Sequence, residues 1–253
     1  MPSNKVERLR LDVLLVERKL AASRDRAQRL IMAGQVLVED RVVDKAGTKV
    51  LSSASIRLKV ADHPYVSRGG LKLAGALKDL SINVTGLRCL DVGSSTGGFT
   101  DCLLQHGAQE VVAVDVGSNQ MAWRLRQDPR VQLYEQTDAR SINEQILGGD
   151  IDLCVMDASF ISAKLILPTL RAVLPPASRL LLLVKPQFEV GREHVEKGGA
   201  VRDPARIKEA VNSVAASAAE LGFAELARTG SRLAGARAGN TEVFLLVSRQ
   251  LNC

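Results

Sequence analysis

Aromatic residues are scarce in this chain of 253 residues, which has only five Phe, two Tyr and one Trp. Hydrophobic residues nevertheless make up 46% of the sequence. We therefore expect a core built mainly from Leu, Val, Ala and Ile. A chain of this length has room for one large domain, or for a large and a small one.

The sequence also lacks paired cysteines and long apolar runs. None of its four cysteines forms a CxxC pair, and Cys89 and Cys154 lie inside apolar runs where buried free thiols are expected. This usage favours a reducing compartment. The N-terminus shows no apolar signal segment, and the longest strongly apolar run, residues 180–184, is too short to span a bilayer. We predict a cytoplasmic protein without a membrane partner.

Positive charge is concentrated in the first quarter of the chain. Residues 1–62 carry 13 Lys and Arg against 8 Asp and Glu, whereas residues 63–253 carry 21 against 20. Such asymmetry is typical of a polyanion-binding module joined to a nearly neutral body. A solvated basic surface is the alternative, so charge alone does not establish nucleic-acid binding.

The pattern of residues 1–62 predicts two short helices followed by a β-hairpin. Ser23 is a good N-cap for the second helix, residues 24–33, and Gly34 ends it. The segment SRDRAQRLIMAGQVLVEDRVVDKAGTKV resembles the S4 domain, a small α+β RNA-binding module. The module has no aromatic residue, which favours reading of RNA shape and phosphates over base stacking. The resemblance implies RNA contacts at Arg24, Arg26, Arg29, Lys45 and Lys49.

Strand-like and helix-like segments alternate after a predicted linker, residues 63–70. The predicted strands are 87–92, 111–115, 131–134, 151–156, 180–185 and 242–248. The predicted helices are 71–80, 97–106, 119–126, 141–147, 162–173 and 204–221. This alternation predicts an α/β domain over residues 71–253, with a mostly parallel, Rossmann-like sheet covered on both faces. The final strand is expected to run antiparallel.

The stretch CLDVGSSTGGFTDCL, residues 89–103, has the pattern of a strand, a glycine turn and a helix. Such a turn lies at the ligand-binding edge of an open α/β sheet. Its G-x-x-x-G-G spacing does not match the dinucleotide fingerprint G-x-G-x-x-G, and Asp91 just before it would repel a pyrophosphate. A carboxylate there suits S-adenosylmethionine, which carries an ammonium and a sulfonium group and no phosphate.

Two further acids follow the next two predicted strands. Asp115 stands where a carboxylate can bind both ribose hydroxyls of an adenosine, and Asp138 can accept from the adenine amino group. For any single acid, a helix cap or a loop position is the alternative. Together the three acids predict an S-adenosylmethionine site in a class I methyltransferase sheet. The predicted cofactor-binding residues are Asp91, Gly93, Ser95, Gly97, Gly98, Phe99, Asp115 and Asp138.

Four charged residues form a predicted catalytic group: Lys72, Asp157, Lys185 and Glu242. Because strand ends at one edge of a parallel sheet converge on one crevice, these distant residues can meet. A ribose 2′-hydroxyl must lose its proton as it attacks a sulfonium methyl group. We predict that Lys185 accepts this proton, that Asp157 orients Lys185, and that Lys72 and Glu242 hold the ribose. The order Lys-Asp-Lys-Glu resembles the FtsJ-like 2′-O-ribose methyltransferases.

The S4-like segment is followed by YVSRGGLKL, DVGSSTGGFTD, VMDASFIS, LVKPQFEVG, GGAVRDP and GNTEVFLL. In this order the motifs resemble the TlyA (hemolysin A) family of ribosomal-RNA 2′-O-methyltransferases over nearly the whole chain. The resemblance implies S-adenosylmethionine as the cofactor, ribosomal RNA or a ribosomal subunit as the partner, and cytidine as the acceptor. The modified nucleotide, the subunit and the oligomeric state stay open.

Other functions fit the sequence less well. A membrane-lytic protein would need an amphipathic basic helix with a large apolar face, and none is evident. A ribosome-assembly factor without catalysis would not need all four charged residues. Amino-group methyltransferases usually carry an Asn/Asp-Pro-Pro-Tyr/Phe turn after the fourth strand, where this sequence has Asp157-Ala-Ser-Phe. His194 could serve as a base or a metal ligand, but we predict a lid over residues 187–202 and no metal site.

Overall fold

The structure is a computed structural model, and it describes residues 7–59, 63–235 and 238–249. The chain divides into two compact units, Met1–Pro64 and Tyr65–Cys253. Each unit has its own hydrophobic core.

The described part of the first unit contains two helices and five short strands. The helices are α1 (Leu11–Glu17) and α2 (Arg24–Met32). The strands are β1 (Arg8–Arg10), β2 (Val36–Val38), β3 (Arg41–Val42), β4 (Lys49–Leu51) and β5 (Ile56–Leu58). Strand β1 pairs with β4, and β3, β2 and β5 form an antiparallel sheet. The predicted cap is confirmed, since Ser23 Oγ accepts from the Arg26 N–H at 3.2 Å.

Seven strands form one sheet in the described part of the second unit. They are β6 (Arg88–Val92), β7 (Glu110–Val114), β8 (Val131–Tyr134), β9 (Leu153–Met156), β10 (Arg179–Val184), β11 (Phe223–Gly230) and β12 (Val243–Arg249). Their order in the sheet is β11-β12-β10-β9-β6-β7-β8. Strands β6 to β10 pair in parallel, while β12 runs antiparallel to β10 and β11. The predicted mostly parallel sheet with an antiparallel last strand is confirmed.

Helices cover both faces of this sheet. They are α3 (Arg68–Asp79), α4 (Gly98–Gln105), α5 (Trp123–Arg126), α6 (Glu144–Leu147), α7 (Leu167–Val173), α8 (Pro186–Glu189) and α9 (Pro204–Glu220). Leu90 and Val92 lie in one core cluster and Cys89 lies in another, so neighbouring residues of β6 point into opposite cores. A central strand that is buried on both faces carries a nearly continuous apolar run, which explains why these strands were visible in the sequence.

The structure differs from the sequence analysis at several elements. Strand β11 was not predicted because it lies at the sheet edge and exposes many of its residues, including Glu225 and Arg228. Helix α3 begins at Arg68, three residues before the predicted start, with Ser67 in an extended conformation at its N-cap. The predicted helices 119–126, 141–147 and 162–173 are shorter or interrupted by 3₁₀ turns.

The first turns of α3 and α4 are packed tightly against each other. A Cβ at Gly98 would lie 2.2 Å from Ser67 Oγ and 3.0 Å from the Gly70 nitrogen. Asp101, which is almost fully buried on α4, accepts from the Val66 N–H at 2.7 Å. This contact sets the position of α3, and with it the position of Lys72.

Gly98→Ala should therefore destabilise the protein by about 1–3 kcal/mol, because the added methyl group would clash with Ser67 Oγ and with the backbone of α3. Gly230→Ala is the matched control, since a Cβ at Gly230 meets nothing within 4 Å. Chemical denaturation of both variants measures the difference. Equal unfolding midpoints for the two variants would show that the two helix ends are not in close contact.

Candidate active site

Three adjoining cavities open at the carboxyl edge of the parallel strands, with volumes of about 890, 410 and 450 Å³. We name them by one lining residue each: the Asp115 cavity, the Ser94 cavity and the Glu242 cavity, in that order. Asp157 and Ser159 line all three. These volumes lie in the range of small-molecule sites.

The Asp115 cavity is organised by the acid that follows β7. Asp115 Oδ2 accepts from the Ser95 N–H at 2.8 Å, and Oδ1 accepts from the Gly117 N–H at 2.7 Å. The carboxylate thus joins the glycine turn to the loop after β7, and each oxygen keeps a second lone pair for a ligand. Val116 and Leu165 line the same cavity with exposed apolar side chains.

Asp138 also lines the Asp115 cavity, but its carboxylate is already paired. It accepts from the Arg140 N–H at 2.8 Å and from the Arg140 side chain at 2.5 Å. These hydrogen bonds from Arg140 lower the pKa of Asp138 to about 2. The group is therefore a stable anion, and a ligand there would share it with Arg140.

Asp91 lies inside β6, behind the cavity walls rather than on them. Thr100 Oγ1 donates to Asp91 Oδ2 at 2.6 Å, while the buried Oδ1 has no hydrogen-bond partner among the described residues. Burial raises the pKa of this carboxyl to about 7. Its predicted contact with an ammonium group stays a prediction.

The Ser94 cavity lies where the N-termini of α3 and α4 meet. Ser67, Arg68, Lys72, Gly98 and Phe99 line it, together with Ser94. The first N–H groups of a helix have no partner within the helix, so this wall is rich in donors and positive partial charge. Ser94 is almost fully buried, and its Oγ has no partner among the described residues. This lining suits a carboxylate or another small anion.

The sheet brings the four predicted catalytic residues together around the Glu242 cavity. Val184 of β10 lies opposite Val243 of β12, so the next residues outward, Lys185 and Glu242, emerge at the same edge. Lys185 Nζ lies 2.5 Å from Asp157 Oδ1. Lys72 Nζ donates to Glu242 Oε2 at 2.5 Å. The four charges thus form two ion pairs, and Lys72, Lys185 and Glu242 are buried.

Sequence reasoning missed Ser159 and Phe160, which follow Asp157. Lys185 Nζ donates to Ser159 Oγ at 2.7 Å. Phe160 has a left-handed backbone, with φ of 66°, and its side chain is exposed, which is unusual for a bulky residue. Its ring centre lies 5.5 Å from that of Phe188. The departure from the Pro-Pro turn at this place was the signal that could have drawn attention to both residues.

Two further side chains hold the loops of this edge. Glu189 accepts from Ser162 Oγ at 2.6 Å and from the Ala163 N–H at 2.7 Å, which ties the segment after Lys185 to the segment after Asp157. Burial raises the pKa of Glu189. Asn240 donates to the Gly199 carbonyl at 2.8 Å, so the predicted lid is anchored to the segment that precedes β12.

His194, the alternative metal ligand or base, lies in a 3₁₀ turn within that lid, beside Glu193. In the parts of the chain that the structure describes, no cluster of His, Cys, Asp and Glu has an arrangement suited to a metal ion. The same residues include no helix long and apolar enough to cross a bilayer.

The predicted RNA-contacting residues lie on the first unit, where a buried acid organises two arginines. Asp12 is fully buried and forms ion pairs with Arg10 at 3.0 Å and with Arg24 at 3.2 Å. The hydrogen bonds from Arg10 hold the pKa of Asp12 well below its usual range. Lys49 lies opposite Arg10 across β1 and β4. Arg10 was not predicted from the sequence.

The remaining predicted RNA residues are spread over the same unit. Arg29 on α2 and Lys45 on the loop after β3 are exposed, while Arg26 on α2 is half-buried. The basic side chains therefore lie on α2, on β4 and on the connecting loop.

Comparison with known proteins gives a consistent result. The model of the FtsJ-like methyltransferase family matches residues 65–250, and that of the S4 domain matches residues 9–56. The 16S/23S rRNA (cytidine-2'-O)-methyltransferase TlyA of Mycobacterium tuberculosis is 45% identical over 96% of this chain and 91% of its own length. Hemolysin A of Brachyspira hyodysenteriae is 40% identical over 92% of this chain and 97% of its own length.

A solved structure supports the same relationship. The structure of a protein described as a candidate hemolysin from Streptococcus thermophilus superposes with a TM-score of 0.75 at 38% identity, covering 97% of this chain and 90% of that protein. The chain therefore belongs to the FtsJ-like methyltransferases, in the S4-containing group that includes TlyA and hemolysin A.

Proposed function

We propose that this protein transfers a methyl group from S-adenosylmethionine to the ribose 2′-hydroxyl of a cytidine in ribosomal RNA. The observation that carries the proposal is the presence of two ion pairs, Lys185–Asp157 and Lys72–Glu242, whose four side chains line the Glu242 cavity. Relatives named as rRNA (cytidine-2'-O)-methyltransferases support the choice of acceptor. The S4 domain supports RNA as the partner.

The Asp115 and Ser94 cavities fit the two ends of the methyl donor. Asp115 can accept from ribose hydroxyls, and the exposed side chains of Val116 and Leu165 suit the faces of an adenine ring. The unpartnered Ser94 Oγ and the helix N-termini suit the carboxylate of the amino-acid end. When bound, the cofactor supplies an electrophilic methyl group on a sulfonium.

Glycine keeps the passage between these two cavities open. A Cβ at Gly93 would lie 2.8 Å from the Asp157 carbonyl oxygen, and the φ of Gly93 is +82°. A larger residue would therefore displace the loop that carries Asp157 and Ser159, or fill the space beside it. This place lies between Asp115 and Lys185, where a methyl group would have to be presented.

The Glu242 cavity suits the acceptor nucleotide. Phe160, 75% exposed at its rim and in contact with Phe188, offers a ring on which an unstacked base can lie. Lys72 and Glu242 lie within the cavity as donor and acceptor for ribose hydroxyls. Enzymes that modify a nucleotide inside folded RNA gain from such a platform, since stacking replaces the interactions that the base loses.

The chain's own residues then provide the proton transfer. The 2′-oxygen attacks the methyl carbon while its proton passes to Lys185 Nζ in the neutral form, and the electron pair of the broken carbon–sulfur bond stays on sulfur. Asp157 holds the lysine and balances its positive charge after it has accepted the proton. Lys72 is held in an ion pair with Glu242, so it positions the ribose and does not compete for the proton.

Lys185→Met should lower kcat by about 10²–10⁴-fold, since it removes the proton acceptor and keeps the bulk of the side chain. Transfer of radiolabelled methyl groups to ribosomal subunits measures this loss, and calorimetry should show cofactor affinity within about twofold of the unsubstituted protein. Undiminished methyl transfer would contradict the proposed role of Lys185.

Asp115→Ala should weaken cofactor binding by about 10–100-fold, because it removes the ribose acceptor and releases the Ser95 and Gly117 amides. Asp128→Ala is the matched control, since Asp128 is a loop acid that pairs with Arg130 and lines none of the three cavities. Equilibrium dialysis with S-adenosylmethionine should separate the two. Equal affinities would place the cofactor elsewhere.

Replacing Arg24, Arg26 and Arg29 together with Gln should weaken RNA binding and reduce its salt dependence, by a slope of up to about 3 on a log–log plot. Cofactor affinity should stay unchanged. The control replaces Arg130 and Arg228, which lie on the second unit and pair with Asp128 and Glu225. If binding to ribosomal RNA keeps its strength and its salt slope, the first unit is not the RNA-binding module.

A further inference from the structure

Ser159 occupies a position that the four-residue charged group does not explain. It lines all three cavities, and its Oγ lies 2.7 Å from Lys185 Nζ. The second neighbour of that nitrogen is Asp157 Oδ1, at 2.5 Å, in an ion pair that lacks hydrogen-bond geometry. Both neighbours come from one short segment after β9, while Lys185 follows the adjacent parallel strand β10.

The geometry of a primary amine means that these two neighbours restrict the direction of the lone pair on Lys185 Nζ. A neutral lysine nitrogen is tetrahedral, with one bond to Cε, two N–H bonds and one lone pair. When one N–H bond donates to Ser159 and the negative charge of Asp157 repels the lone pair, the lone pair is left with the one remaining direction. Lys185 lines the Ser94 and Glu242 cavities, so open space for a substrate hydroxyl lies beside its nitrogen.

We propose that Ser159 is a positioning residue which, together with Asp157, aims the lone pair of Lys185 at the ribose 2′-hydroxyl. This inference rests on the proposed function. Without the hydrogen bond to Ser159, the amine could rotate about its Cε–Nζ bond and present an N–H in place of the lone pair. The Ser159 oxygen and the charge of Asp157 together remove that freedom before the substrate arrives, which is the kind of preorganisation that raises kcat.

The segment that carries Ser159 is held at both ends. At its start, the Asp157 N–H donates to the Val92 carbonyl at 2.9 Å. At its end, Glu189 accepts from Ser162 Oγ and from the Ala163 N–H. The hydroxyl is therefore set by the backbone of two strands and by the half-buried Glu189 carboxylate, rather than by a free loop.

The other lysine of the group does not share these acceptors. Lys72 Nζ donates to Glu242 Oε2 at 2.5 Å. In the reaction, the 2′-hydroxyl proton moves to the lone pair of Lys185, the new carbon–oxygen bond forms, and the carbon–sulfur electrons stay on sulfur. Ser159 accepts a hydrogen bond throughout and neither gains nor loses a proton.

The test compares Ser159→Ala with Ser159→Thr, which keeps the hydroxyl. Ser159→Ala should lower kcat by about 10–100-fold, while KM for the ribosomal substrate and Kd for S-adenosylmethionine stay within about twofold. Ser159→Thr should recover most of the lost kcat. If thermal unfolding shows that Ser159→Ala is destabilised, Ser159→Cys provides the same comparison, since sulfur is a similar size but a weak acceptor.

Lys185→Met, assayed beside these variants, distinguishes a failure of the positioning role of Ser159 from a failure of the proposed function. Full kcat in Ser159→Ala together with an inactive Lys185→Met would overturn the positioning role and leave the proposed function in place. A loss seen only in KM or Kd, or a loss that Thr does not rescue, would also overturn it. Full activity in Lys185→Met would instead reject the proposed function itself.

Discussion

The antiparallel pairing of β12 with β10 is the constraint on which the candidate active site depends. Val184 lies opposite Val243, and this register brings Lys185 and Glu242 to the same edge of the sheet. Side chains alternate between the two faces of a strand, so a slip of one residue would turn Glu242 away from the site. The buried leucines of β10 make such a slip costly, since they fill both cores. The packing of the sheet thus sets the positions of groups far apart in sequence.

The charges at this edge are interdependent. Three of the four side chains are at least nine-tenths buried, and each has an opposite charge within 2.5 Å. Removing one partner of a buried ion pair leaves an uncompensated charge, which costs far more than a surface pair is worth. Each lysine of the group is paired with a carboxylate, so the group does not strongly repel a cationic sulfonium. In the proposed function, the basic first unit attracts the RNA phosphates.

Much of this arrangement could be predicted from the sequence, because buried strands appear as apolar runs that end abruptly in a charged residue. Asp115, Asp157 and Lys185 were found in this way, and the comparisons confirm the family. Asp91 has the same signal but lies within β6, where its side chain turns into the core. Asp138 is predicted to accept from an adenine amino group; its carboxylate is paired with Arg140, two residues further on, so a ligand there would share it.

What could not be predicted depends on contacts between distant segments. Strand β11 forms because it pairs with the free edge of β12, and its own residues show little apolar pattern. Ser159 contacts Lys185 only because β9 and β10 are adjacent in the sheet, and a single serine in a loop does not predict such a contact. The early start of α3 likewise follows from its contact with Gly98 on α4. Local sequence shows which residues can act, whereas the sheet decides which of them meet.

The most direct test of the account is the chemical identity of the product. Ribosomal subunits would be incubated with the protein and S-adenosylmethionine labelled with ¹³C in its methyl group, and the RNA would then be digested to nucleosides for mass spectrometry. The account predicts labelled 2′-O-methylcytidine, with the label on the ribose fragment, and none of it with Lys185→Met. Label on the base fragment, or no labelled nucleoside with the unsubstituted protein, would contradict it.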